Sequence, residues 1–468
     1  MTTKVKDIVE VAISIASPAT GADAFGIPMI LTDVTAWPDR VKSFTSADAV
    51  LEEGAELTDT VYLAVKDMFN QTSKDGKSIN LVKVGKKKTD ANGTATVTFD
   101  ADATGGTFTL SVALADGTAE TTAGIAYDAL ASAVETAIEA LTAVTSCTVT
   151  LLGTNPGDTE GFTVEFDGAD ATTDLRVTAV DVSSLTSVTT GTIDQSVYGS
   201  TTETWVEAYN AVKAEDNVFI NLLPTTKTKA DILALAAAIE SDVVLGWFIT
   251  ADADVLAGTA GNVAETLKGL GYTKSILMYT GDSNNYLNCG WVGAITPDFI
   301  GGINTCYYEI TGIDTDTFTS SQLVTLAGNN VNRFETVSSK NIIPGTTAGS
   351  EGNTGGINVS GQYIDYVWAK LYLETVLQNA LFDLLVDSKK IPFTNSGLDL
   401  IEATMRNVLQ TEGVNRDIIE PNTINVTMPD LDSYSTTLKS QRSLQFDGGS
   451  SDLQGAISKI SITYNLAV

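Results

Sequence analysis

Apolar and polar positions alternate at both ends of the chain. Every second residue is apolar in two short stretches: Val9, Val11, Ile13, Ile15, Ile460, Ile462, Tyr464, Leu466 and Val468. Successive side chains of a β-strand point to opposite faces, so each set would occupy one face of a strand. The pattern therefore predicts a strand at each end. An exposed strand edge needs a partner, and the pattern leaves open whether these strands pair within one chain or with another chain.

Strand and helix patterns alternate over residues 21–88 and again over 199–345. The apolar runs GIPMILTDV and SINLVKVGK are typical of buried strands, and the segment between them predicts two short helices. After residue 198 three helix–strand pairs follow, whose strands are NVFINLLP, VVLGWFITA and KSILMYT. This alternation predicts an α/β core with a parallel sheet, built from two parts of the chain. Residues 281–360 predict a loop-rich stretch.

Residues 89–198 have a different composition. They are rich in Thr, Ala, Gly and Asp, and short alternating runs such as TATVTFDA and GFTVEFDG surround one helical pattern, YDALASAVETAIEAL. The stretch holds 16 acidic residues and one basic residue, Arg176. Such a change in composition and charge predicts a separate β-rich domain inserted into the core. We expect it to face solvent.

Residues 346–446 predict a helical part. QYIDYVWAKLYLETVLQNALFDLLVDS is apolar on two sides, as in a deeply buried helix, and NSGLDLIEATMRNVLQTEG predicts a second helix that ends at Gly413. Residues 447–468 then predict the linker DGGSSD and the terminal strand, and residues 1–20 predict the N-terminal strand arm.

The charge balance excludes one class of partner. The chain has 58 acidic and 27 basic residues, a net charge of −31. Nucleic-acid binding needs clustered Lys and Arg, so we expect none. No stretch approaches the roughly 20 apolar residues of a membrane helix, so we expect no membrane span.

The residue types also argue against catalysis. The chain has no histidine, which removes His-based triads and the usual zinc sites. No glycine-rich phosphate loop or nucleophile elbow occurs. Cys147, Cys289 and Cys306 lack metal-site spacing and are expected to be buried thiols. We therefore expect no catalytic residues, no metal and no cofactor.

The region KKIPFTNSGLDLIEATMRNVLQTEGVNRDIIEPNTINVTMP resembles the C-terminal part of contractile-tail sheath proteins of phages. That family has an I-P-[YF]-T-x-x-G element, a helix after it, and an arm that ends in an alternating strand. The N-terminal alternating strand, the FGIPMIL strand and the SADAV helix fit the same family, as does a β-rich insert before the α/β core. The resemblance covers most of the chain, and KIPFTNSGLDLIEA is its most specific part.

The resemblance implies an assembly. Sheath subunits stack as rings around an inner tail tube, and the polymer contracts to drive the tube through a host envelope. It implies a homo-oligomer in the virion tail, assembled in the host cytoplasm, with the tail tube, baseplate and tail terminator proteins as partners. The fold it implies is a sheath core of α/β (α+β) type, with the inserted domain and extended terminal strand arms.

The resemblance also assigns roles to residues. The apolar residues of the two terminal strands would interlock neighbouring subunits, and Gly448 and Gly449 would form the hinge of the C-terminal arm. By analogy with the family, the helix at 397–413 would face the tube through these residues: Asp399, Glu402, Arg406 and Asn407.

Two other functions are compatible with the composition. A secreted acidic adhesin or carbohydrate-binding protein would be a monomer and would favour a signal peptide. Asp7 and Glu10 interrupt the apolar part of the N-terminal stretch, so we expect mature structure there. A carboxylate-based hydrolase would need two acids that converge in a cleft.

Overall fold

The computed structural model describes residues 25–455 apart from 38, 115–116, 171–172, 198, 346–354, 432–441, 443, 445 and 447. Residues 1–24 and 456–468 lie outside the described part, and both predicted terminal strands lie there with them.

The chain first passes through short strands and helices of the core and then through the β-rich stretch. The described strands are β1 Pro28–Asp33, β2 Val41–Phe44, β3 Val82–Lys87, β4 Thr94–Phe99, β5 Gly105–Leu114, β6 Glu120–Thr121, β7 Ile125–Ala126, β8 Cys147–Leu151, β9 Phe162–Phe166, β10 Leu175–Asp181, β11 Leu185–Thr186, β12 Gly191–Val197, β13 Asn221–Pro224, β14 Leu245–Thr250, β15 Ser275–Tyr279, β16 Glu335–Val337, β17 Lys340–Ile342, β18 Asn425–Val426 and β19 Gly449–Ser450. The described α-helices are α1 Asp48–Glu52, α2 Thr60–Phe69, α3 Ala131–Glu139, α4 Trp205–Glu215, α5 Lys229–Glu240, α6 Ala253–Ala257, α7 Val263–Leu270, α8 Leu287–Ile295, α9 Ser320–Gly328, α10 Ile364–Asp387 and α11 Asn395–Val408.

Six strands form the central sheet, in the order β15-β14-β13-β1-β3-β2. The pairs from β15 to β3 are parallel, and β2 runs antiparallel to β3 at the edge. β1 lies between β13 and β3, so both parts of the chain contribute to one sheet. The predicted α/β core with its parallel sheet is confirmed.

The two faces of this sheet are covered by different helices. Ile30 of β1 packs into an apolar cluster with residues of α2, α8 and α10. Its neighbours Met29 and Leu31 point the other way, into a cluster with residues of α4, α5 and α7. Parallel strands that are buried on both faces read as continuous apolar runs, which is why these strands are visible in the sequence.

Residues 94–197 form sheets of their own. β12-β4-β9-β8 is one, and β5 pairs with β10, β11, β6 and β7 in the other. Their inward side chains, together with those of α3, form an apolar cluster whose members all lie between residues 95 and 193. The short strands β6, β7 and β11 and the strand β12 were not expected from the sequence. The domain boundaries at 89 and 198 stay predictions.

Several carboxylates of this β-rich stretch hold its turns together. Asp100 accepts hydrogen bonds from the backbone N–H groups of Thr189 (3.0 Å) and Thr190 (3.1 Å) and from the Thr189 hydroxyl. Asp167 accepts a bond from the Thr148 hydroxyl at 2.6 Å. The bond from the Thr189 side chain, followed by those from the two backbone groups, lowers the pKa of Asp100 to about 2. Threonine residues of this stretch thus donate hydrogen bonds to its aspartate carboxylates.

The loop-rich stretch expected at 281–360 contains two helices, α8 and α9. Every residue of α8 is buried. A Cβ at Gly293 would lie 2.5 Å from the carbonyl oxygen of Met68, so α8 approaches the backbone of α2 too closely for any side chain at this position. Glycine disfavours a helix locally, and this close tertiary packing overrides that preference.

Helix α10 is buried only over its first half. All of its buried residues lie between Ile364 and Gln378. Near its C-terminal end Leu385 is 46% exposed and Val386 is 64% exposed. The predicted deep burial therefore holds for the first part of the helix. The apolar residues at its C-terminal end are exposed instead.

Three carboxyl groups are buried in the core: Asp67, Asp365 and Glu374. Burial is the largest cause of their shifts, and it raises the pKa to about 6 for Asp67, about 6 for Asp365 and about 7 for Glu374. For Glu374 the charges of Lys274 and Lys370 oppose the shift. Each group is therefore neutral in the folded chain at pH values where it is ionised in the unfolded chain.

We expect the core to lose stability as the pH rises from 5 to 8. The folded pKa values lie above the unfolded ones, so the stabilisation is complete below about pH 4 and is lost as the pH passes through 6 to 7. E374Q should raise the free energy of unfolding by roughly 1–3 kcal/mol at pH 8 and change it little at pH 5. Tryptophan fluorescence during urea unfolding measures this in the core, because no tryptophan lies in residues 89–198.

The exposed Glu56 offers a matched control, E56Q, which should leave the pH dependence as it is. If E374Q kept the full pH dependence of the native chain, burial of Glu374 would not be its cause.

Candidate functional site

The residues predicted to interlock subunits lie outside the described residues. They are Val9, Val11, Ile13, Ile15, Ile460, Ile462, Tyr464, Leu466 and Val468. Their role stays a prediction. The structure does describe the segments from which these ends leave, at Phe25 and at Gly455.

The segment that leads into the C-terminal residues is held by hydrogen bonds. Its residues 448–454 lie antiparallel to residues 418–427, and β19 pairs with β18. The connecting bonds run from Thr427 N to Gly448 O (3.2 Å), Glu420 N to Asp452 O (2.9 Å), Asp452 N to Thr423 Oγ1 (3.1 Å) and Gln454 N to Ile418 O (2.8 Å). We call these two paired stretches the C-terminal base. The chain is thus anchored up to Gln454.

The backbone requires glycine at one of the two predicted hinge positions, Gly449. Gly449 has a φ of 108°, and a Cβ there would lie 1.9 Å from the carbonyl oxygen of Asn425. Only glycine tolerates this backbone and this approach. The linker has more structure than its Gly, Ser and Asp composition indicates. The hinge at Gly448 and Gly449 stays a prediction, and a pivot there has to break bonds of the C-terminal base.

Helix α11 lies beside the C-terminal base. Asp399 and Asn407 are exposed, as the predicted tube-facing role requires. Glu402 and Arg406 form an ion pair of 2.7 Å one turn apart. Arg406 also donates to the carbonyl oxygens of Ile424 (3.4 Å) and Val426 (3.3 Å). Asp399, Arg406 and Asn407 are thus exposed and Glu402 is half-buried. Of the four, Arg406 ties α11 to the C-terminal base.

We expect R406A to loosen β18 and β19 with little effect on the rest of the fold. The variant loses two long backbone contacts and a half-exposed ion pair, together worth about 1 kcal/mol. Hydrogen exchange should therefore quicken by up to about tenfold at residues 424–427 and 448–450. E402Q serves as the control, because it removes the ion pair and keeps the backbone contacts. Equal effects of both variants would assign the anchoring to the ion pair.

The edge strand β2 leaves one side of the central sheet open among the described residues. Lys86 N–H donates to Arg40 O at 2.8 Å, so alternate residues of β2 point their backbone groups toward β3. The backbone groups of Val41 and Ser43 therefore point away from β3. No described strand pairs with β2 on that side. At the opposite edge, β15 is covered by a bridge from Met278 to Asn332.

The β-rich stretch joins the core through two adjacent chain segments. Ala91 and Ser200 exchange backbone hydrogen bonds of 3.0 and 3.1 Å. Next to this pair, Arg40 forms a bidentate ion pair with Glu203 at 2.6 and 2.7 Å. Bidentate pairs of this kind fix orientation as well as charge. We call the paired residues Ala91 and Ser200, together with Arg40 and Glu203, the neck.

Metal-ligand clusters, thiols and charged cavities are the features that bear on catalysis among the described residues. They contain no group of three or more acidic, histidine or cysteine residues that could hold a metal ion. Cys147, Cys289 and Cys306 are buried, as expected, and burial raises the pKa of Cys147 to about 12. Lys74, Asp298, Tyr308 and Arg416 line a cavity of about 450 Å³.

The charges of that cavity are satisfied within the protein. Asp298 accepts bonds from the Ser73 hydroxyl (2.6 Å), the Lys74 backbone (3.0 Å) and the Tyr308 hydroxyl (3.0 Å). The Lys74 ammonium lies over the Tyr308 ring, 4.1 Å from its centre. We therefore assign no ligand to this cavity.

The sequence analysis did not predict the ion pair between Arg40 and Glu203 or the contacts of Arg416 with Glu412 and Phe299. Arg40 and Glu203 are 163 positions apart, and no local pattern marks either of them. Only Glu412 and Arg416 carry a signal, the helical spacing of four residues.

No helix among the described residues has the length and apolar character needed to cross a membrane. No protein-family model matches the chain, and no curated protein matches it. Among solved structures, it is similar to a sheath tail protein from Desulfitobacterium hafniense, at 13% identity over 89% of this chain and 93% of that one, with a TM-score of 0.46.

Two further structures are similar at the same level. The helical sheath of the anti-feeding prophage in its contracted state matches at 9% identity over 98% of this chain and 95% of that one, with a TM-score of 0.47. A sheath tail protein from Listeria innocua matches at 11% identity over 86% and 88% of the two chains, with a TM-score of 0.43. At TM-scores below 0.5 these similarities do not establish the function of the chain.

Proposed function

We propose that this chain is the structural subunit of a contractile tail sheath, which polymerises around an inner tail tube and contracts. One observation carries the proposal. The sheath-like segment KKIPFTNSGLDLIEATMRN leads into α11, which begins at Asn395. This helix is tied to the C-terminal base from which the alternating last residues depart. An anchored base followed by a strand pattern is the arrangement that an inter-subunit arm needs.

The proposed joint is strand addition. The terminal strand arms, residues 1–20 and 456–468, would each add to a sheet of a neighbouring subunit. The open side of β2 and the two-stranded sheet of β18 and β19 are the candidate receivers. About six backbone bonds at roughly 1 kcal/mol each, with several buried aliphatic side chains at roughly 1.5–3 kcal/mol each, are enough to hold neighbours after the cost of ordering.

The proposed tube-facing surface combines α11 with the distal end of α10. Leu385, Val386 and Leu400 are exposed there, at 46%, 64% and 44%. Asp399 and Asn407 of α11 are exposed as well. Exposed apolar residues with a polar surround are typical of a protein-binding surface. The tail tube, baseplate and tail terminator proteins are the proposed partners, and the virion tail is the proposed location.

The β-rich stretch would point outward. It carries about half of the net charge, and the neck attaches it at two adjacent points. An acidic outer layer keeps a dense polymer soluble and makes its assembly depend on salt. Force generation would come from a choice between two packing arrangements of the subunits, without an enzymatic step.

Sedimentation velocity tests the proposal. The purified full chain should convert from a slowly sedimenting species into polymers of at least several megadaltons as salt or Mg²⁺ is raised, because screening weakens repulsion between subunits of charge −31. A single species of 49.2 kDa under all of these conditions would refute it.

A further inference from the structure

Four aromatic rings meet where Phe25, the first described residue, packs against α10. Phe25 contacts the rings of Trp368 and Tyr372 edge-on, at 4.9 and 5.1 Å, and Phe299 contacts the same two rings at 4.8 and 4.9 Å. Trp368 and Tyr372 stack at 5.6 Å. We call Phe25, Phe299, Trp368 and Tyr372 the aromatic cluster.

The cluster is attached to the N-terminal segment through Phe25. This residue is the first that the structure describes, it is buried, and it lies three positions before β1 begins at Pro28. Any movement of the chain just before Phe25 therefore acts on a packed ring next to the central sheet. Close-packed interiors transmit such displacements, because they have little free volume.

Arg416 attaches the cluster to the C-terminal base. Its guanidinium lies over the rings of Phe299 and Tyr372, at 4.6 and 5.6 Å. Glu412 holds it there, accepting a bond from Arg416 Nε at 2.7 Å and another from the Tyr372 hydroxyl. Two residues beyond Arg416, Ile418 accepts the bond from Gln454 that ends the C-terminal base.

The backbone at the centre of the cluster is strained. Phe299 has a φ of 67° and a ψ of 91°, a region that bulky residues rarely occupy. It persists because Trp368, Tyr372 and Arg416 surround the ring. Strain of this kind concentrates at active sites, ligand clamps and switch regions.

We propose that the aromatic cluster couples residues 25–27 to the end of the C-terminal base nearest Arg416, residues 418–420 and 452–454, so that displacing either segment loosens the other. Both segments are tied to one set of rings, through Phe25 on one side and Arg416 on the other. The coupling is a property of the single subunit. Its use, to relay movement of one strand arm to the other during contraction, rests on the proposed function.

Hydrogen exchange of the full chain at low salt tests the coupling. F25L removes a ring that contacts Trp368 and Tyr372, so exchange should quicken about tenfold at residues 418–420 and 452–454. F44L is the matched control, because Phe44 is buried in the same apolar core but contacts Trp37, 5.2 Å away. Equal loosening of the C-terminal base in both variants, or in neither, would overturn the proposal.

The coupling must also work in the opposite direction. R416A should quicken exchange at residues 25–33. R406A should not, because it loosens only the other end of the C-terminal base, at residues 424–427 and 448–450. The two arginines are matched: each pairs with a glutamate four positions earlier at 2.7 Å, and each side chain is 44% exposed. Y372F keeps the ring and removes the hydrogen bond to Glu412. It should therefore quicken exchange in the C-terminal base less than F25L does. If R416A and R406A behaved alike at residues 25–33, the cluster would not couple the two segments.

The outcomes separate this proposal from the proposed function. Exchange effects in a chain that never polymerises would support the coupling and refute the sheath. Polymers formed by a chain without these effects would support the sheath and refute the coupling.

Discussion

A chain that ends at Gly455 should remain folded and fail to polymerise. The truncation removes residues 456–468, which carry the alternating apolar and polar pattern, and leaves every described hydrogen bond of the C-terminal base in place. If several kcal/mol of strand pairing join each subunit to its neighbour, their loss should lower the polymerised fraction by more than a hundredfold at equal protein concentration. Sedimentation and circular dichroism of the same sample measure assembly and folding together.

Paired substitutions within the terminal strand give the matched control. Ile462 and Tyr464 lie on the apolar face of the predicted strand, whereas Ser461 and Thr463 lie on its polar face. I462K with Y464K should abolish assembly, and S461K with T463K should preserve it. Equal behaviour of the two double variants would contradict a strand that buries one face against a neighbour.

Replacement of residues 92–199 by Asn-Gly should leave a folded core that assembles at lower salt. Ala91 and Ser200 already exchange both backbone hydrogen bonds, which is the geometry that a two-residue turn closes. The replacement removes about half of the net charge of the subunit, so less screening is needed to bring subunits together. Light scattering across a salt titration measures the midpoint of assembly for both chains.

The neck provides the control for this deletion. R40A within the full chain should loosen the neck without shifting the assembly midpoint, because the charge of the β-rich stretch is retained. A deletion variant with a native core that forms no polymer would contradict the outward position of this stretch.

The parallel strands of the central sheet were predictable because they are buried on both faces, whereas the half-exposed edge strand β2 was not predicted. Runs such as PMILTD and LGWFIT carry that burial in their composition, and helical periodicity separates them. Helix α8 was not predictable by the same reasoning. Its sequence LNCGWVGAI contains two glycines, and the contact with Met68 that requires Gly293 comes from a residue more than 200 positions away.

The candidate site was predictable only where a local pattern exists. The exposed positions of α11 follow from helical periodicity, so Asp399 and Asn407 could be assigned to a surface. The bonds from Arg406 to Ile424 and Val426 could not be foreseen, since they depend on how the chain turns after the helix. The stacking of Arg416 on Phe299 likewise joins residues that no spacing rule relates.

Negative-stain electron microscopy of the purified full chain, across ionic strength and Mg²⁺ concentration, tests the central claim most directly. The account predicts hollow tubes with regular transverse striations, formed by this chain alone or around an added tail tube. A compact, isolated particle of one chain under every condition would contradict it.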